Sequence, residues 1–181
     1  MSKIQVDTID TRSGTSTLTL GSTNASTIAL GSGDVQSNFL YPAFMVQLSA
    51  NQSVGNSSWT KIVFNSEDWD TDSAFDTSTG RFTVPSGAAG KYTFYASLAV
   101  DSMTADKNVY VAFYKNGSHA QSGNNTPSVS TTISSSISAS FDLSESDYIE
   151  VYTNQDSGGS KNYIGNSTTE CLFYGYKQLG V

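Results

Sequence analysis

His119 is the only imidazole and Cys171 the only thiol in 181 residues, so acid–base and nucleophilic chemistry have few places to start. A triad or a histidine metal cluster needs orienting partners, and no spacing offers them. There is no G-x-S-x-G elbow, Walker loop or zinc spacing. His119 follows Asn116-Gly117 in a polar stretch and reads as an exposed loop residue. Cys171 lies in the apolar run CLFYGY and reads as a small buried hydrophobe. One thiol closes no disulfide within the chain.

The acidic group Glu67, Asp68, Asp70, Asp72 and Asp76 is the next candidate. Asp68, Asp70 and Asp72 alternate like the first ligands of a calcium loop. The EF-hand version needs Gly at position six and Glu at twelve, where this chain has Ser73 and Thr79. The reading preferred is a solvated acidic loop with Trp69 and Phe75 turned inward, with calcium at the three aspartates as the alternative. Paired carboxylates also suit glycoside hydrolysis, which needs a cleft between them. Short loops leave little room for one, so neither enzymatic activity nor a cofactor is expected. Sugar binding asks less: exposed aromatics beside Asn and Ser. Trp59, His119, Asn124, Asn125 and Tyr163 are the candidate receptor contacts, against the plainer reading that such aromatics cap the core at strand ends.

The remaining composition narrows the partners. Net charge is −7 with pI near 4.4, and basic residues stand singly. Phosphate neutralisation needs a basic stripe, so nucleic acid is excluded and an anionic membrane disfavoured. No run approaches the ~20 apolar residues that span a bilayer. No apolar leader follows Met1, so no export signal is expected. A polar, weakly charged β chain of this kind fits a particle released by lysis.

The elements that would position these residues are strands. Residues 16–35 hold a tandem ten-residue copy, STLTLGSTNA and STIALGSGDV, with Leu18 matching Ile28 and Leu20 matching Leu30. Two apolar side chains per copy give ~3–5 kcal/mol when buried, while ordering ten residues costs on the order of 10–20 kcal/mol. Such a stalk needs partners, most simply two more copies of itself. A disordered Ser/Thr linker is the competing reading. Ile4, Val6 and Ile9 precede it as a candidate attachment peptide. Residues 1–40 are thus an attachment segment and β-repeat stalk, and residues 41–181 a strand-rich head.

Within the head, alternation predicts strands over residues 43–50, 59–64, 81–84, 91–100, 109–115, 129–143, 148–153 and 170–179, and a short one near Tyr163. Phe82, Tyr92, Phe94, Phe113, Phe141 and Phe173 are the expected core. Tyr95, Tyr110 and Tyr114 fall on the opposite parity, as strands covered on both sides would require. Eight to ten strands without helical periodicity point to an all-β, two-sheet jelly-roll sandwich.

Several short blocks then stand in a familiar order: Pro42-Ala43-Phe44, Ile62-Val63-Phe64, F-D-x-x-T-G-R-F-T-V-P from Phe75 and G-K-Y-T-F from Gly90. Tyr114-Lys115-Asn116-Gly117, Leu143 with Asp147, Ile149-Glu150-Val151 and Phe173-Tyr174-Gly175-Tyr176 complete the series. Together they resemble the globular head of the complement q subcomponent and the tumour necrosis factor-like jelly rolls, over residues 42–179. Two departures stand out. Ser146 occupies the place where that family has Gly before Asp, and the ten-residue repeat replaces a collagen stalk. The resemblance implies a homotrimer with aromatic side chains on the threefold axis. The hybrid also resembles tail-fibre, head-fibre and decoration proteins of phages, those of marine and cyanobacterial phages above all. The expected role is a trimeric virion fibre, attached to other virion proteins by its N-terminal segment, whose head contacts a host surface glycan or protein. The alternative is a capsid decoration protein.

Overall fold

Period-two alternation sets the elements. In the computed structural model, which describes residues 42–165 and 170–178, thirteen strands form and no helix does. All described residues belong to the unit Phe39–Val181. The stalk positions Leu18, Leu20, Ile28 and Leu30 lie outside the described residues.

The strands are β1 (Ala43–Gln47), β2 (Gln52–Val54), β3 (Thr60–Lys61), β4 (Ser66–Asp70), β5 (Phe75–Asp76), β6 (Arg81–Thr83), β7 (Gly90–Met103), β8 (Val109–Lys115), β9 (Ser118–Asn125), β10 (Thr131–Leu143), β11 (Tyr148–Gln155), β12 (Lys161–Tyr163) and β13 (Leu172–Lys177). One sheet of seven strands runs β2-β12-β7-β13-β1-β4, with β10 also paired to β7. The second, of six, runs β5-β6-β11-β8-β9, with β3 beside β11. First and last strands pair, and sequence neighbours switch sheets, which makes this a jelly-roll sandwich.

The inner faces meet in an aromatic core. Phe82, Tyr92, Phe94, Phe113 and Phe173 are fully buried, while Phe141 is half-buried at its margin, edge-on to Phe113. Phe44 packs at 4.9–5.0 Å from Phe75, Phe82 and Phe173. Gly175 pairs with both Phe44 and Phe94. A Cβ there would sit 2.3 Å from Phe94 Cδ1, so only glycine lets these rings close over β13.

The F-D-x-x-T-G-R-F block builds the β5–β6 hairpin at the edge of the six-stranded sheet. Asp76 Oδ1 accepts from the Ser78 amide and hydroxyl, and Oδ2 from the Thr79 hydroxyl. Gly80 then takes φ +66°, where a Cβ would lie 2.9 Å from the Ile62 carbonyl oxygen. Arg81 donates from Nε and Nη2 to Glu150 Oε1, and Phe82 stacks on Phe44. Every prominent residue of the block serves architecture.

The corner between the sheets, from β10 to β11, depends on Asp147, which accepts from Asn116 Nδ2 and the Ser144 amide and pairs with Lys115. Hydrogen bonds, from Ser78 first in one case and Asn116 first in the other, hold Asp76 and Asp147 at about 2 against an ordinary 3.8. Each carboxylate therefore adds stability that is whole above about pH 4 and is lost as pH falls toward 2. Urea midpoints should fall with pH across that window, and D76N should flatten the slope. An unchanged slope would contradict the assignment.

Ser146, next to that corner, adopts φ +68°. A left-handed non-glycine residue costs roughly 1–2 kcal/mol, and glycine returns part of that as unfolded-chain entropy. S146G should raise stability by about 0.5–1 kcal/mol, read as a rise in denaturation midpoint. A fall would mean that the serine side chain supplies something the backbone does not show.

Three expectations need correcting. Residues 118–125 form β9, a sheet-edge strand, rather than a loop. The strand is exposed almost throughout, so no apolar alternation marks it. The acidic stretch is likewise no simple loop: β4 pairs with β1 in it, with a register shift between Met45 and Val46. That pairing turns Trp69 outward, 45% exposed, while Phe75 is buried as expected. Val129 also stands outside its expected strand, since β10 begins at Thr131.

Candidate recognition and assembly surfaces

Each sheet uses one parity for the core and leaves the other for solvent. On the seven-stranded sheet, β7 buries Tyr92, Phe94, Ala96 and Leu98 and turns Thr93, Tyr95 and Ser97 outward. β13 buries Phe173 and turns Leu172, Tyr174 and Tyr176 outward. The pairing Trp69–Met45–Tyr174–Tyr95 then makes one continuous rung across four strands. Tyr95 and Tyr174 stack at 5.2 Å. Tyr176 extends the patch and is 46% exposed. Serines and a threonine of β10 and β7 flank it, so nothing charged interrupts the rung between Trp69 and Tyr95.

The opposite face, on the six-stranded sheet, carries a second aromatic surface. Tyr110 and Tyr114 of β8 and Tyr148 and Tyr152 of β11 all point away from the core. Tyr114 and Tyr152 stack at 4.0 Å. His119 pairs with Tyr114 across β8 and β9, its ring 5.5 Å away. Trp59 lies 6.1 Å from Tyr110 and from Tyr114, and 5.6 Å from His119. Ala112 sits between the two tyrosines on the same parity, yet is fully buried and outside the core cluster. The Trp59 ring bridges the gap above it.

Two cations share one carboxylate below this shelf. Glu150 Oε1 accepts from Lys61 Nζ at 3.1 Å and Arg81 Nη2 at 2.9 Å. The Arg81 guanidinium also lies 3.8 Å over the Tyr148 ring. Burial, then Tyr152, raises the Tyr114 phenol, and burial, then Glu150, raises that of Tyr152. Both hydroxyls stay protonated near neutrality and can donate.

The candidate contacts separate accordingly. Trp59, His119 and Asn124 share the shelf side, Asn124 pairing with Tyr110. Asn125 has the opposite parity, and its amide donates to the Ser134 carbonyl, tying β9 to β10. Tyr163 is corrected outright. It is completely buried, shares a 2.6 Å hydrogen bond with Thr153, and cannot meet a receptor. The short strand expected near Tyr163 forms as β12, but it pairs on both sides and turns the tyrosine inward. Tyr152 was missed, although its off-core parity in β11 was a usable signal.

The acidic cluster does not converge. Asp68 accepts from Gln47, Asp70 from the Phe75 and Asp72 amides, and Asp72 from Thr71. Among the described residues no three Asp, Glu, His or Cys side chains are placed to hold a metal ion. Cys171 is buried and its Sγ lies 3.2 Å from the Ala99 amide. Burial pushes its thiol to about 11, so it stays protonated and unreactive.

Residues 43–177 match the family model described as the C1q domain. The globular domain of zebrafish complement 1qA protein is similar at 18% identity and TM-score 0.53, covering 75% of this chain and 96% of that one. Murine APRIL is similar at 12% identity and TM-score 0.56, covering 77% of this chain and 100% of that one. The Eiger TNF from S. frugiperda gives 13% and 0.57, covering 78% and 94%. At such identities these likenesses show the fold alone. No curated protein sequence matches.

Proposed function

Since the chain belongs to the C1q domain family, we propose that it is a homotrimeric, non-enzymatic virion structural protein, a phage tail or head fibre whose head contacts the host surface. The observation that carries the trimer is the Trp69–Met45–Tyr174–Tyr95 rung, an outward-facing band across four strands of one sheet, exposed at Trp69 and half-buried at the other three. Fully burying four such side chains is worth at most about 6–12 kcal/mol. Association itself costs about 4–15 kcal/mol in lost freedom. The rung alone is therefore marginal, and on this reading the tandem repeat with Leu18, Leu20, Ile28 and Leu30 would supply the second set of apolar contacts.

The virion assignment rests on the pairing of that repeat with a complement-like head in a chain without Gly-X-Y triplets in tandem. Three heads on one stalk turn a weak contact into a firm one through effective concentration. The N-terminal segment, with Ile4, Val6 and Ile9, would join the other virion proteins.

Antibody to this chain, applied to intact phage particles and imaged, tests the assignment. Label at fibre tips supports it. Label spread over the head lattice replaces it with the decoration role, and unlabelled particles overturn both.

A further inference from the structure

We propose that the shelf formed by Trp59, Tyr110, Tyr114, Tyr152 and His119 binds a neutral carbohydrate, an inference that rests on reading the head as a recognition module. The shelf faces away from the rung, so assembly through the seven-stranded sheet leaves it open. Its rings lie outside the core: the tyrosines fall on the outward parity of β8 and β11, and Trp59, just before β3, remains 38% exposed while spanning Tyr110 and Tyr114. A strand pair needs no such concentration of aromatics for its own sake.

The charge pattern selects the occupant. Lys61 and Arg81 share one carboxylate, Glu150, which leaves a single net positive charge there, too little to hold a polyanion on a chain of net −7. A nucleic-acid base could stack on these rings, but its phosphates would find a single net positive charge and no basic stripe, and the chain carries −7 overall. An acidic polymer meets the same objection. What the shelf offers is aromatic faces bordered by uncharged donors and acceptors. Ser122 and Asn124 on β9 and Asn154 on β11 share its side by register with Ala112 and Tyr110. The Asn124 amide makes one long hydrogen bond of 3.4 Å, to Asn108, and has capacity left. The Tyr114 and Tyr152 hydroxyls remain protonated, as above. A sugar ring has the complementary build: an apolar C–H face to lie on a ring, and an uncharged hydroxyl rim to meet amides and phenols.

The chain has two tryptophans, and they lie on opposite faces. The full-length W69F protein therefore reports on Trp59 alone. Its fluorescence, titrated with dextran, mannan and galactan, should shift with at least one. Affinity electrophoresis through the same polymers should retard the wild type, and W59A should lose at least about tenfold in apparent affinity. W59F should recover part of it, which keeps the test decisive if W59A misfolds. Retardation by none of the three, equal retardation of W59A, or stronger retardation by polygalacturonate would each overturn the proposal. Sedimentation separates the two readings. A monomer that still binds dextran would refute the trimer and spare the shelf, while a trimer that binds no neutral polymer would do the reverse.

Discussion

Purified Tyr174→Arg protein should sediment as a folded monomer while the wild type sediments as a trimer of 19.3 kDa chains. Tyr174 is the centre of the outward-facing rung, paired to Met45 on one side and stacked on Tyr95 at 5.2 Å on the other. Its outward parity means the replacement removes nothing from the core, so the head should keep its β-sheet circular dichroism and its melting as a single unit. In the assembly, the same change places three guanidinium groups near one axis without a carboxylate to meet them. Truncating a central aromatic anchor commonly weakens association by 2 kcal/mol or more, and unpaired like charges add to that. An increase of at least about 100-fold in the dissociation constant is expected. Tyr110→Arg, on the opposite face, is the control and should leave the mass unchanged. If both variants stay trimeric, the contact lies elsewhere. If Tyr110→Arg alone dissociates, the two faces have exchanged roles.

The fold was readable because alternation and punctuation agree. Tyr92, Phe94, Ala96 and Leu98 alternate cleanly, and β7 runs through them with that parity inward. Asn116 and Gly117 both take positive φ, as a tight turn demands. Legibility fails where a strand has no apolar side to show. β9 lies at a sheet edge, exposed almost throughout, and its Ser, Gln and Asn residues carry no period. β4 is hidden for a related reason: acidic residues surround Trp69, and only pairing with β1 decides which way that ring points. The surfaces were half legible. Off-core parity singles out Tyr95, Tyr110 and Tyr114, but parity cannot say which strands lie side by side. The rung joins residues from β4, β1, β13 and β7, far apart in sequence, and exists only through the order of the sheet. Tyr163 shows the converse error. A polar neighbourhood in sequence suggested exposure, yet β12 is inserted between β2 and β7 and its tyrosine ends inside.

Phe44→Ala should be among the most damaging single changes in the head. The ring stands at 5.0 Å from Phe75 and Phe82, 4.9 Å from Phe173 and 6.3 Å from Phe94, joining strands of both sheets. Gly175 beside it has no side chain to move into the space. Neighbouring rings are held by one another, so the site collapses poorly and most of the cavity remains. Phe→Ala in such a core costs about 3–5 kcal/mol. A domain of this size is stable by about 5–15 kcal/mol, so roughly a fifth or more of the total would be lost. The melting temperature should fall by roughly 10 °C or more. Phe44→Leu keeps most of the volume and should cost about 1–2 kcal/mol. The comparison belongs in the Tyr174→Arg background, where association no longer adds concentration-dependent stability to the readout. There, a loss below about 1 kcal/mol for Phe44→Ala would mean that the rings repack freely. The assembly rung would then rest on a sheet too soft to hold Tyr95 and Tyr174 in register, and the case for a preformed interface would fail with it.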